Sequence, residues 1–186
     1  GVANSIIGQG NMTTNSNAAI ILGAGNTITD SYKDVNIDTS TMKGSTPEAL
    51  EEALQKAVPE SGGQVMAIGG GNNVESAYMS QVVGVGNTVK GNQVYTKDAK
   101  TGKWEWTTDT NKDTAIKDYD KDKSSQYNYV DGFNNEVING KHDYVIGANN
   151  KLSGDSYDDK EAKKYSNESN IVFGDNHTLT NTKNAV

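Results

Sequence analysis

The chain is 186 residues long and carries a net charge of −7, and its length indicates one or two domains. It is 33% hydrophobic with a mean hydropathy of −0.71, and this composition excludes a thick globular core. All 17 basic residues are Lys, so the bidentate guanidinium that binds phosphates and base edges is missing, and we expect no nucleic-acid partner. There is no cysteine, which excludes disulfides and thiol catalysis.

A short motif recurs from the N terminus onward: an apolar pair, a glycine, small or amide residues, and another apolar residue. Its first glycine occupies seven positions: Gly8, Gly23, Gly69, Gly84, Gly132, Gly147 and Gly174. Three of the steps are 15 residues long, and the others are 46, 48 and 27 residues long. A repeated period is typical of a solenoid, whose coils bury apolar residues against one another. The sequence therefore predicts an all-β parallel solenoid of about seven short coils, around residues 4–29, 64–91, 127–154 and 169–186.

Each coil is predicted to contain two short strands. Val82 and Val83 illustrate the first strand, in which adjacent apolar side chains point to opposite faces, so that both faces require burial. Gly and Asn then turn the chain, because they tolerate a positive φ, and the second strand alternates, as in residues 27–29. A coil this thin covers one face of the first strand only. The pattern therefore predicts a homo-oligomer, in which another copy of the chain covers the other face.

Three insertions interrupt the coils at 30–63, 92–126 and 155–168, always after the second apolar position. Insertions in the same register project from one side of a solenoid, often its binding side. In the first, Ser45 or Thr46 caps a helix that starts at Pro47. Its Leu/Ala stripe is expected to pack on the solenoid or on a neighbouring subunit. The third insertion is polar and is expected to form a loop.

The second insertion predicts a β-hairpin from residues 93–96 and 103–107. Trp104 and Trp106 fall on one face of it, and Tyr95 would share that surface. One interpretation is that the tryptophans pack the hairpin onto the coils or across a subunit boundary. The other is a contact surface for a glycan or a protein, because exposed aromatic residues concentrate at recognition sites.

A calcium loop is a second hypothesis for this insertion. Asp109, Asn111, Asp113 and Asp120 supply oxygen ligands at the first, third, fifth and twelfth positions of a loop, which is the spacing of calcium-binding loops. Thr114 stands where such loops carry the glycine of a sharp turn, and no helices are predicted on either side. The alternative interpretation is a solvated acidic loop.

The sequence offers little for catalysis, and we expect no enzyme activity and no organic cofactor. Gly84-Val85-Gly86 lacks the third glycine and the following helix of a dinucleotide site. The only histidines are His142 and His177, and His177 falls in the asparagine register of its coil, which indicates a turn residue. The carboxylates lie mainly in the polar insertions, where solvated charge is the ordinary explanation.

The repeat resembles the head of the YadA-like trimeric autotransporter adhesins of Gram-negative bacteria. Ser5-Ile6-Ile7-Gly8 and Ala67-Ile68-Gly69 are the nearest matches to the family's Ser-x-Ala-Ile-Gly repeats. The resemblance covers the seven coils and excludes the insertions. It implies a left-handed parallel β-roll assembled as a homotrimer, with the first strands facing the threefold axis. Asp131 departs from the pattern by placing a charge beside that axis.

The resemblance also implies a function and a location. Members of the family attach to host cells, matrix proteins or other bacteria from the outer-membrane surface, and we expect the membrane anchor to lie outside this fragment. The leading hypothesis is therefore a virulence-associated adhesin head that binds through its insertions. One alternative is a structural trimeric fibre segment of phage-tail or stalk type. Another is a β-solenoid polysaccharide hydrolase or lyase, which would need clustered carboxylates or an arginine base.

Overall fold

The computed structural model describes residues 3–31, 46–57, 63–91, 125–154 and 167–186, and the backbone of 94–97 and 104–107. Its main feature is a stack of short parallel strands. The first sheet has seven strands: β1 (Ser5–Gln9), β3 (Ile20–Ala24), β5 (Met66–Gly70), β8 (Gln81–Val85), β13 (Tyr129–Phe133), β16 (Tyr144–Ala148) and β19 (Ile171–Phe173). The second sheet has seven more: β2 (Met12–Thr14), β4 (Thr27–Thr29), β6 (Asn73–Glu75), β9 (Thr88–Lys90), β14 (Glu136–Ile138), β17 (Lys151–Ser153) and β20 (Thr178–Thr180).

A third, narrow sheet was not predicted. It contains four two-residue strands: β7 (Ala77–Tyr78), β12 (Ser125–Gln126), β15 (Gly140–Lys141) and β18 (Asn167–Glu168). The prediction of two strands per coil is therefore wrong for these coils, which contribute one strand to each of three sheets. Two-residue strands are too short to show an alternating pattern, so the sequence gives no periodic signal for them.

The strand register confirms the all-β parallel fold and the alignment of the repeat. Within each large sheet, every strand pairs in parallel with the strands of the coils before and after it. The repeat glycines pair directly, as Gly69 does with Gly84 and Gly84 with Gly132. Such pairing requires glycine, because a Cβ on Gly84 would lie 2.0 Å from the carbonyl oxygen of Gly132 and φ there is +110°.

The core is a column of aliphatic side chains inside the coils. From the first sheet, Val82, Val130 and Val145 are fully buried, and from the second sheet Val89 and Leu152 are fully buried. In the later coils only one residue of the apolar pair reaches this core: Val82 is buried and Val83 points outward with partial exposure. In the first coil both Ile6 and Ile7 are exposed. The predicted division of the apolar pair between two environments is confirmed.

The helix and the hairpin of the insertions are present. Helix α1 spans Pro47–Ala57, and the Oγ1 atom of Thr46 accepts a hydrogen bond from the Ala49 amide at 3.4 Å. No residue of α1 is buried and Leu50 is 48% exposed, while Ala53, Leu54 and Ala57 of the apolar stripe are partly exposed. The predicted packing of this stripe on the solenoid or on a neighbouring subunit stays a prediction. No helix in the described part of the chain is long and apolar enough to cross a membrane.

Candidate interaction surface

The aromatic residues proposed for binding lie on a β-hairpin, as predicted. Strands β10 (Val94–Lys97) and β11 (Trp104–Thr107) pair antiparallel, with Tyr95 opposite Trp106 and Lys97 opposite Trp104. This register places Trp106 directly across from Tyr95. Whether the tryptophans pack the hairpin or contact a ligand stays a prediction, because the structure describes only the backbone of these strands.

The proposed calcium ligands Asp109, Asn111, Asp113 and Asp120 lie outside the described residues. Among the residues that the structure does describe, no group of three or more His, Asp or Glu side chains is arranged to hold a metal ion. Calcium binding therefore stays a prediction about residues 109–120.

A ladder of buried asparagines, which the sequence did not reveal, runs the length of the coils. Its members share one register, three residues after the repeat glycine: Asn11, Asn26, Asn72, Asn87, Asn135 and Asn150. The Oδ1 atom of each accepts the backbone amide of the next at 3.0 or 3.1 Å. It also accepts a hydrogen bond from the next side-chain amide, as Asn72 does from Asn87 at 3.1 Å. The interior polar groups of one corner are thereby satisfied from coil to coil.

The ladder corrects one physical explanation given for the repeat. Asparagine was expected to turn the chain by adopting a positive φ, and Asn134, Asn149 and Asn176 do so, alongside glycines such as Gly86. The ladder residues follow immediately and do not have a positive φ. His177 occupies the next ladder position, as its register predicted, and its backbone amide donates to Asn150 Oδ1 at 3.0 Å.

A second polar ladder contains a buried carboxylate. Asn128, Asp143 and Asn170 follow one another, and Asp143 Oδ1 accepts the backbone and side-chain amides of Asn170, both at 2.9 Å. Asp143 is fully buried, and its Oδ2 atom has no hydrogen-bond partner. Burial raises the pKa of the Asp143 carboxyl to about 6, and the charge of Glu168 acts in the same direction, whereas the Asn170 donors oppose both.

The outward side of the first sheet is an apolar surface, which we call the apolar face. It is formed by the strand residues that alternate with the core: Ile20, Leu22, Met66, Ile68, Val83, Val85, Phe133, Tyr144, Ile146, Ile171 and Phe173. Leu22 is 46% exposed and Phe173 is 68% exposed. An exposed apolar face of this kind, interrupted only by Gln81 and Asp131 among the described strands from β3 to β19, is uncommon on a monomer and marks an interaction surface.

One charged residue interrupts the apolar face. Asp131 pairs in register with Val83 on one side and Ile146 on the other. Its Oδ2 atom accepts a hydrogen bond from the Tyr129 hydroxyl at 3.3 Å. Partial burial and the Asp131 charge raise the pKa of the Tyr129 phenol. A carboxylate at this position disfavours close packing of the face unless it is protonated or paired.

The three insertions follow strands of the same sheet. Strands β4, β9 and β17 all belong to the second sheet, where they run parallel, and their last residues are Thr29, Lys90 and Ser153. The carboxyl ends of parallel strands lie at one edge of a sheet, so the three insertions leave the coils along one edge. The edge from which the insertions leave and the apolar face are therefore the two candidate interaction surfaces.

In comparisons with known proteins, no protein-family model and no curated protein matches the chain.

Proposed function

We propose that this chain is the head of a trimeric surface adhesin of the YadA-like kind and that it has no enzyme activity. In this proposal the coils form a left-handed parallel β-roll, and three copies of the chain pack their apolar faces around a threefold axis. The insertions then project from the trimer and carry the binding surface for a host cell, a matrix protein or another bacterium. The location is the outer-membrane surface of a Gram-negative bacterium, with the anchor outside this fragment.

The observation that carries the proposal is the apolar face. Each coil is too thin to bury both residues of its apolar pair, so Leu22 and its equivalents are left outside the core along the whole sheet. The hydrophobic effect favours covering such a row, at about 25 cal/mol for each Å² of apolar surface removed from water. A second copy presents the same row in the same spacing. In a closed ring, the apolar face of every copy is covered equally, and three copies around a threefold axis form such a ring.

The rest of the structure supports display of the insertions. The Asn ladder and the valine column join each coil to the next through buried contacts, so the edge from which the insertions leave is held in place. Three copies would present three sets of insertions at fixed spacing. Weak individual contacts with a cell surface would then add through avidity.

Deleting the second insertion tests whether it binds. Gly91 and Asn139 occupy equivalent positions, because Lys90 pairs with Ile138, and Ser125 is equivalent to Gly140. Joining Gly91 directly to Ser125 removes residues 92–124 and preserves the 15-residue coil. The matched control joins Gly154 to Asn167 and removes the shorter third insertion. Each variant is measured for trimer mass and for attachment to cultured cells and immobilised matrix proteins.

The adhesin proposal predicts that joining Gly91 to Ser125 abolishes attachment and leaves the trimer intact. Loss of the trimer with this deletion would instead favour the structural fibre segment, in which insertions brace the assembly. Full attachment after both deletions would contradict the assignment of binding to the second or third insertion.

A further inference from the structure

Asp143 takes the place of an asparagine in the second polar ladder, and the asparagines on either side show what such a residue does there. The Nδ2 group of Asn128 donates to the Gly140 carbonyl at 3.0 Å. The Nδ2 group of Asn170 makes the equivalent bond to the Thr182 carbonyl at 2.7 Å. Each bond ties a buried corner to the carbonyl 12 residues further along the chain. An asparagine in this ladder is therefore a donor as well as an acceptor.

For Asp143, the carbonyl that corresponds to these two is that of Asn167. Asn167 in β18 pairs with Gly140 in β15, and its Oδ1 atom accepts the backbone amide of Thr182 at 2.8 Å, so the three residues are successive members of one register. The Asp143 Oδ2 atom stands in place of the donating Nδ2 group, and it is buried without a hydrogen-bond partner. An ionised carboxylate only accepts hydrogen bonds, whereas a protonated carboxyl donates one. Only the protonated form can repeat the bond that the neighbouring asparagines make.

The surroundings of Oδ2 support this assignment. A Cβ added to Gly140 would collide with the Asp143 Oδ2 atom, so this oxygen points at the register to which Asn167 belongs. One coil earlier that register holds Ser125, whose hydroxyl accepts a hydrogen bond from Asn128 Nδ2 at 2.8 Å. Gly140 has no side chain and so no hydroxyl that could donate to Asp143 instead.

The charged groups around Asp143 favour its neutral form. Glu168 in β18 acts on it with a second negative charge, and burial and this charge together raise the pKa of the Asp143 carboxyl against the opposing Asn170 donors and the Lys141 amide. The cations nearby are directed to Glu168: Lys183 pairs with it at 3.1 Å, and Lys141 lies beside it in register. Strand β12, on the other side, carries no titratable residue.

We infer that Asp143 is a proton-operated latch, whose protonated carboxyl donates from Oδ2 to the Asn167 carbonyl and holds β18 in the stack. Ionisation gives the proton to solvent and leaves two acceptors facing each other in a buried site, where the loss of a hydrogen bond is costly. The third insertion returns to the coils at β18, so its return is held at acidic pH and loosened at neutral pH. This inference concerns the coils alone and does not depend on the adhesin proposal.

Amide hydrogen exchange of the full chain, followed by NMR at pH 4 and pH 7 and corrected for the intrinsic exchange rate, tests the latch. The Ser169 amide reports on it, because it donates to the Lys141 carbonyl at 2.9 Å across β15 and β18. The internal control is the equivalent bond one coil earlier, from the His142 amide to the Gln126 carbonyl at 2.9 Å. An asparagine stands in place of Asp143 in that coil, so its protection has no latch to lose.

Two variants separate the latch from a general effect of charge. Asp143→Asn keeps a donor at every pH, because its Nδ2 group replaces the carboxyl proton. Asp175→Asn is the matched control, since Asp175 is an exposed carboxylate whose Oδ1 atom also accepts a backbone amide, that of Ala148 at 2.8 Å.

The expected result is that protection of the Ser169 amide, relative to that of His142, falls at least about tenfold from pH 4 to pH 7, which corresponds to one pKa unit of the shift. Asp143→Asn should abolish this fall, and Asp175→Asn should leave it unchanged. Equal behaviour of the Ser169 and His142 amides in the unmodified chain would overturn the inference. A fall that persists in Asp143→Asn, or that disappears in Asp175→Asn, would also overturn it.

Discussion

Asn72 and Asn87 are joined by two hydrogen bonds to one oxygen: Asn72 Oδ1 accepts the backbone amide of Asn87 at 3.0 Å and its Nδ2 group at 3.1 Å. Asn87 repeats the arrangement with Asn135, at 3.0 Å for both bonds. Its Nδ2 group also donates to the carbonyl of Gly132 at 3.0 Å. Asn87 thus serves as acceptor for the following coil and as donor to both neighbouring coils, in a position closed to water.

Asn87→Ala is expected to lower the free energy of unfolding by at least about 3 kcal/mol, because it leaves several buried groups without partners at about 1–3 kcal/mol each. The measurement is urea unfolding followed by circular dichroism at a fixed protein concentration. Asn176→Gly is the matched control, since Asn176 is an exposed turn residue with φ 63°. Equal urea-unfolding midpoints for the two variants would contradict a contribution of the ladder to stability.

The two glycines of a repeat are expected to respond differently to substitution. Gly84→Asn should prevent folding, because a Cβ there would lie 2.0 Å from the Gly132 carbonyl oxygen. Gly71→Asn should change stability by less than about 1 kcal/mol, since a Cβ at Gly71 meets nothing within 4 Å and φ is +63°. Asn134 stands in the same register with φ 53°. Soluble yield and thermal unfolding of the two variants test this, and a folded Gly84→Asn protein would contradict the stacking of the repeat.

Asp143 is expected to make the fold less stable as pH rises. Its folded pKa of about 6 lies above the ordinary value of 3.8, so the folded state binds more protons between these values. The contribution of this group to stability is greatest below the unfolded pKa of 3.8 and is lost as pH rises through about 6. The total change is roughly 3 kcal/mol, at 1.36 kcal/mol per pKa unit. Asp143→Asn restores the residue type found at Asn128 and Asn170, and its stability should exceed that of the unmodified chain at pH 7.

The comparison of these two proteins at pH 4 and pH 7 isolates Asp143 from other titrating groups. The stability difference in favour of Asp143→Asn should be larger at pH 7 than at pH 4. Equal differences at both pH values would show that folding does not shift the pKa of the Asp143 carboxyl.

The apolar face is expected to control assembly through the row that contains Asp131. Val83→Asp adds a second carboxylate beside it and should weaken association by more than about 100-fold, which corresponds to about 3 kcal/mol. Asp131→Val completes the apolar row and should strengthen association. Analytical ultracentrifugation over a dilution series measures both, and circular dichroism checks that each chain remains folded. An unchanged mass for Val83→Asp would place the subunit contact elsewhere.

The sequence predicted those features that a regular period or a local signal specifies. Spacing or turn chemistry predicted the pairing of Gly84 with Gly132 and the division of Val82 and Val83 between two environments. They also predicted a helix cap at Ser45 or Thr46, of which the structure shows Thr46, and the β-hairpin that contains Tyr95. The Asn ladder was misinterpreted because Asn is common in turns, and Asn134 and Asn135 sit side by side with different roles. The missed signal was an Asn three residues after each of the first six repeat glycines, since stacked strands favour Asn ladders.

The positive φ of Met79 and Tyr127, at the corner of the coils that precedes the first sheet, could not be predicted for a different reason. Tyr127 and Met79 give no sequence signal for a left-handed conformation, because neither residue type favours it. The stacking of the coils imposes it: the Tyr127 amide donates to the Tyr78 carbonyl at 2.9 Å and the His142 amide donates to that of Gln126 at 2.9 Å. Tertiary packing outweighs the local preference there. The apolar stripe of α1 is the reverse case, since the sequence predicted its burial and no residue of the helix is buried among the residues that the structure describes.

The central claim is that three copies of the chain cover one another's apolar faces, and sedimentation equilibrium tests it most directly. The chain has a mass of 19.9 kDa. The account predicts a single species of three times that mass at micromolar concentration, which the Val83→Asp substitution converts to single chains. A mass equal to one chain for the unmodified protein, across the whole concentration range, would contradict the account.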